Sequence, residues 1–199
     1  MSDEQRHLRQ ISQRLSLRAP QEKSLQILAN LVQAVEFDKT LDPDLALAEI
    51  QKLYPSVTAF EREFPSVCFA IATGVGKTRL MGAFIAFLLL TGHSKNFFVL
   101  APNTTIYDKL VADFSRQTSP KYVFRGIAQF AQTPPIIVTG DTWEKGRGVR
   151  GSDLFGSDAI INIFNVDKIN KDRVASAPCA KRSAKAISTI SPACRTSCC

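Results

Sequence analysis

The sequence predicts an α/β fold, a parallel sheet covered on both faces by helices and preceded by a helical segment. Two observations carry this. Apolar runs such as Phe97–Ala101 (FFVLA) and Ile136–Thr139 (IIVT) lack the polar alternation of a half-exposed strand, as strands of a covered parallel sheet do. Between them lie stretches with helical spacing, giving the strand–helix succession of a doubly wound domain. A third observation places a function-bearing turn. The run Ser66–Gly82, SVCFAIATGVGKTRLMG, passes from apolar to glycine-rich and back to apolar.

The first 54 residues read as helical. Leu25, Leu28, Leu31, Val32 and Val35 recur at three- and four-residue spacing, an amphipathic stripe. Asp42-Pro43 opens a second helix, since proline fits the first helical turn, and Pro55 closes it after Tyr54. Strands are expected at Val67–Ala72, Phe97–Ala101, Lys121–Phe124, Ile136–Thr139 and Ile160–Phe164. Helices are expected at Lys77–Leu90 and Thr104–Ser115. Cys68, within an apolar run, is expected as a small buried residue. The glycine-rich, charged stretch 141–158 reads as a surface loop. The domains are therefore 1–60 helical, 61–173 α/β, and 174–199 a tail.

That tail has almost no large apolar residues, no periodicity and no acids, so it is expected to be disordered, with a composition that fits an out-of-frame end to a truncated protein. Cys179, Cys194, Cys198 and Cys199 crowd it without a separated second pair or a nearby histidine, which a zinc site would need. Four of the 25 basic residues also lie there, so the net charge of +7 falls mostly to the tail and says little about partners. The longest apolar run, Leu80–Leu90, is about half of what a membrane span requires. The N-terminus shows no signal-peptide pattern, and a cytoplasmic location is the default expectation.

The glycine turn carries the chemistry. Gly76, Lys77 and Thr78 fill the last three positions of G-x-x-x-x-G-K-[ST], while the first falls on Ile71. Glycines at 74 and 76 let backbone amides converge without a Cβ in the way. The helix that follows directs its N-terminal amides and dipole at the same point, which favours an anion. Thr73, Gly74, Val75, Gly76, Lys77 and Thr78 are thus expected to hold ATP. Lys77 would meet the β- and γ-phosphates, and the Thr78 hydroxyl would hold Mg²⁺.

The form Thr-Gly-Val-Gly-Lys-Thr (73–78) after a strand resembles motif I of superfamily 2 helicases and translocases. Leu17-Arg18-Ala19-Pro20-Gln21 resembles the adenine-recognition segment, in which the glutamine amide pairs with the base, so Arg18 and Gln21 join the ATP set. Taken alone, Gln21 reads as a polar first-turn residue after Pro20. Phe98–Thr105 (FVLAPNTT) resembles motif Ia, which places Asn103, Thr104 and Thr105 against a DNA phosphate; ordinary helix capping accounts for the same residues, and both roles can coexist. The run Ile160–Asn170 (IINIFNVDKIN), with the Leu-Arg-x-Pro-Gln and Ala-Pro-Asn-Thr steps, is similar to the restriction (Res) subunits of type III restriction-modification enzymes over residues 15–173.

That resemblance implies a P-loop RecA-like domain with an incomplete sheet. It implies a parent enzyme that hydrolyses ATP to translocate on DNA, cleaves it through a distant nuclease domain, and works with a modification methyltransferase subunit. Asn165, Lys168 and Asn170 would lie on the DNA side. The family's Asp-Glu-Ala-His motif is not found: the one adjacent Asp-Glu pair is Asp3-Glu4. Nor is a second RecA-like domain. The expectation is therefore an N-terminal fragment that grips ATP without turning it over. The alternatives are another superfamily 2 DNA helicase fragment and a non-hydrolysing nucleotide-binding module. A small-molecule kinase is disfavoured by Ile71 at the first loop position and by the lack of an arginine-rich lid.

Overall fold

The computed structural model describes residues 2–37, 41–142, 159–166 and 189–190. In chain order the elements are helices α1 (Asp3–Arg14), α2 (Ala19–Ala34) and α3 (Pro43–Leu53), strand β1 (Cys68–Phe69), helix α4 (Lys77–Leu90), strand β2 (Asn96–Ala101) and helix α5 (Thr104–Ser115). Then come helix α6 (Ala128–Gln132), strand β3 (Ile136–Thr139), the single turn α7 (Gly140–Thr142), and strands β4 (Ile160–Asn165) and β5 (Thr189–Ile190). Two compact units form: one from Met1–Ser16 and Met81–Ala180, the other from Leu17–Leu80 and Lys181–Cys199.

The first unit holds a three-stranded parallel sheet in the order β2-β4-β3. β4 is central, pairing Asn96–Ala101 on one side and Ile136–Thr139 on the other. Alternate residues of β4 (Ile161, Ile163, Asn165) are buried, as are Val99 and Ala101 of β2, and α5 packs against all three strands. Asn162 Nδ2 donates to the Phe97 carbonyl at 3.1 Å, and Phe98 stacks on Phe164 at 5.2 Å. The parallel sheet, α4 and α5 agree with the sequence reading.

α4 keeps apolar residues around much of its circumference, as a helix enclosed by its surroundings does. It stops because Gly92 takes a left-handed conformation (φ +79°), with the Ser94 amide reaching back to the Leu88 carbonyl. Mid-helix, Gly82 is required by contact. A Cβ there would stand 2.8 Å from Val123 Cβ and 3.0 Å from the Val123 carbonyl oxygen.

The expected strand at Lys121–Phe124 does not form; the segment is a turn. Tyr122, Val123 and Phe124 are buried as side chains rather than as a ladder. The Val123 amide donates to the Asp113 carbonyl, and Phe124 stacks on Phe130 at 4.0 Å while meeting Phe114 edge-on at 5.6 Å. A short apolar run signals burial without specifying how the backbone is bonded. Burial also pushes the Tyr122 hydroxyl pKa up.

α1 belongs to this unit, with Ser2 Oγ accepting from the Gln5 amide at its start and Ile11 buried. Gly126 (φ +87°) lies where a Cβ would come 3.4 Å from the Arg14 carbonyl.

The second unit is built on α2 and α3. Ile27, Leu31, Val35, Ala46, Ile50 and Val57 form its core, whereas Leu28 and Val32 of the expected stripe are only half-buried. Asp42 caps α3 by accepting from the Asp44 amide at 2.9 Å, with Pro43 in the first turn. The strand expected over Val67–Ala72 shortens to Cys68–Phe69, paired in parallel with Thr189–Ile190. Cys68 is exposed, not buried. With two residues paired, its side chain has no sheet-covering helix above it to enter. Apart from the backbone of Thr189–Ile190, the readings made for 174–199 lie outside the described residues, as does most of the 141–158 loop.

Gly82→Ala should destabilise the protein by about 1–3 kcal/mol, the usual magnitude for overpacking. In an open helix the same change would stabilise by about 1 kcal/mol. Urea unfolding of the two proteins decides the sign.

Candidate functional site: the phosphate loop

The loop between β1 and α4 turns on two left-handed glycines, Gly74 at φ +82° and Gly76 at φ +99°. An L-residue pays about 1–2 kcal/mol for such a conformation, so the sequence supplies glycine at both places. The Gly76 carbonyl accepts the first helical bond of α4, from the Leu80 amide at 3.1 Å. Gly76 therefore serves as the helix's N-terminal cap position. The amides of Gly74, Gly76, Lys77 and Thr78 have no hydrogen-bond partner among the described residues, while Val75 donates to the Ala72 carbonyl at 3.5 Å. Four unspent amides around a helix start form a cradle for a polyanion. Thr73 and Lys77 are exposed and Thr78 half-buried, so all three side chains are open to a ligand.

α2 meets the back of this loop. Gln21 is 2% exposed, and both ends of its side-chain amide are engaged. Its Oε1 accepts from the Arg18 amide at 2.8 Å, the reciprocal half of a helix cap. Its Nε2 donates to the Gly76 carbonyl at 2.9 Å, and Arg18 Nη1 donates to the Gly74 carbonyl at 3.3 Å. A Cβ on Gly76 would stand 2.9 Å from Gln21 Nε2. The structure thus joins Arg18, Gln21 and the 73–78 loop, which the sequence analysis had grouped on other grounds. It gives Gln21 backbone partners where a base had been expected.

In the other unit, the start of α5 gathers the second set. Asn103 Oδ1 caps the helix by accepting from the Ile106 amide at 2.9 Å. Asn165, 3% exposed at the end of β4, donates from Nδ2 to Thr104 Oγ1 at 3.2 Å. The Thr104 hydroxyl is thereby fixed as an acceptor, leaving its own hydrogen to donate outward. Thr104 and Thr105 are exposed. Lys168 and Asn170 lie outside the described residues.

A family model described as the type III restriction enzyme res subunit matches residues 14–188. The chain belongs to this family. It carries the family's P-loop helicase domain, an incomplete RecA-like α/β fold. No curated protein and no solved structure matches it. Among the described residues no helix of this Res-family chain is long and apolar enough to cross a membrane, and no cluster of His, Cys, Asp and Glu could hold a metal ion.

The sequence analysis missed the contact between Gln21 and the Gly76 carbonyl. The signal available was the pairing of a first-turn glutamine with a glycine more than fifty residues on, and no local pattern reveals that.

Both loop glycines resist substitution, unequally. Gly74→Ala should cost about 1–2 kcal/mol for its left-handed backbone alone, since a Cβ there meets nothing within 4 Å. Gly76→Ala should cost more, because its Cβ also displaces Gln21. Paired denaturation midpoints measure the difference.

Proposed function

We propose that this chain binds Mg-ATP at Thr73–Thr78 and a DNA phosphate at Asn103–Thr105, as the motor portion of a DNA-translocating restriction enzyme. The observation that carries the reading is the set of unspent amides at Gly74, Gly76, Lys77 and Thr78, at a loop followed by a helix start. These residues fit a triphosphate. The amides would take the β-phosphate, Lys77 would neutralise the β- and γ-phosphates, and the Thr78 hydroxyl would reach the Mg²⁺ that the nucleotide brings. Mg²⁺ would supply charge neutralisation at the transferring phosphoryl group. Reading adenine through Gln21 would require its amide to leave Gly76 and Arg18.

At the second site, the Thr104 hydroxyl and the first amides of α5 would take a backbone phosphate, a contact that positions DNA without reading sequence. A modification methyltransferase subunit is the partner the family suggests, and translocation followed by cleavage is the activity of the assembled enzyme.

Within these 199 residues the only adjacent Asp-Glu pair is Asp3-Glu4, on α1. No carboxylate pair therefore follows a strand end to activate water. The chain should hold Mg-ATP without turning it over.

Calorimetric titration should show Mg-ATP binding that Lys77→Ala weakens at least tenfold, with steady-state hydrolysis at background with or without DNA. DNA-stimulated turnover that Lys77→Ala abolishes would refute the non-hydrolysing part of the proposal; binding unchanged by Lys77→Ala would refute the site.

A further inference from the structure

We infer that Gln21 and Arg18 are positioning residues for the phosphate loop, holding it through the carbonyls of Gly76 and Gly74, and that Gln21 sets triphosphate affinity rather than base identity. The inference rests on reading the loop as a triphosphate site. A peptide group is rigid and planar, so fixing its carbonyl in one direction fixes the amide on its other end. Gln21 Nε2 on the Gly76 carbonyl orients the peptide whose amide is that of Lys77, and Arg18 on the Gly74 carbonyl orients the peptide whose amide is that of Val75.

The contact is built in from both sides. Gly76 is the residue at which a Cβ would stand 2.9 Å from Gln21 Nε2, so glycine at 76 serves this approach as well as the phosphate's. Gln21 in turn is locked by its own Oε1 on the Arg18 amide at 2.8 Å, with the side chain 2% exposed. Pairing with a base edge needs one donor and one acceptor from the same side-chain amide, in one plane. Here both ends of that amide already serve the protein, and the group is closed off from solvent. Reading a base would therefore surrender the cap of α2 and the brace on the loop together.

Gln21→Glu separates the two bonds. The carboxylate still accepts from the Arg18 amide, so the helix cap survives, but it cannot donate to the Gly76 carbonyl. In the full chain without nucleotide, amide exchange across residues 74–78 should quicken about five-fold, the effect of losing one ordinary hydrogen bond. Affinities for ATP, GTP and inorganic tripolyphosphate, each with Mg²⁺, should fall by a common factor, leaving the ATP:GTP ratio unchanged. Arg18→Ala, at an exposed side chain that cannot disrupt a core, should quicken loop exchange about two-fold in the same direction and decides the matter if Gln21→Glu fails to fold. Loop exchange unchanged in the folded variants would overturn the inference. So would loss of ATP:GTP preference with tripolyphosphate affinity intact, which would make Gln21 a base reader. Should the wild-type chain bind none of the three probes, the triphosphate reading fails, while the exchange comparison still decides whether Gln21 and Arg18 brace the loop.

Discussion

The direction of two peptide groups governs what this site can do. With Gly74 and Gly76 in the left-handed region, their carbonyls turn to α2 and the neighbouring amides are left for a ligand. A Cβ at either position would oppose that arrangement through backbone strain, and at Gly76 through a collision with Gln21 as well. The Gly76 carbonyl serves twice, taking the first bond of α4 and the Gln21 amide. The start of the helix and the shape of the loop are therefore settled at one atom. The dipole of α4 and the charge of Lys77 add to a cradle that backbone geometry has already formed.

The elements with strong local signals were legible in the sequence. α4 and α5 begin and end where capping and glycine punctuation place them: Asn103 closes the N-terminus of α5, and left-handed Gly92 ends α4. The parallel strands β2, β3 and β4 follow from uninterrupted apolar runs. What failed was the inference from apolarity to strand at Lys121–Phe124. There the side chains are buried by packing among Phe114, Phe124 and Phe130, and the backbone is bonded as a turn. Cys68 failed for the converse reason: an apolar neighbourhood in sequence did not become a covered strand in space.

The candidate site was legible as a list and not as a mechanism. Residues 73–78 are contiguous, so their spacing alone implies convergence of amides. Arg18 and Gln21 were grouped with them by resemblance, and the structure joins them through different atoms, the carbonyls rather than a base. Asn165 is a parallel case. Its burial at the end of β4 and its bond to Thr104 Oγ1 depend on sheet register, which pairs it with Ala101. No periodicity in the chain encodes which hydroxyl that side chain will reach.

The account depends most on the unspent amides of Gly74, Gly76, Lys77 and Thr78 being the ligand-binding atoms. Titrating the ¹⁵N-labelled chain with Mg-ATP and following backbone amide resonances tests this directly. Saturable shifts concentrated at these four amides are the predicted result; shifts that cluster elsewhere, with these four unmoved at saturation, would contradict it.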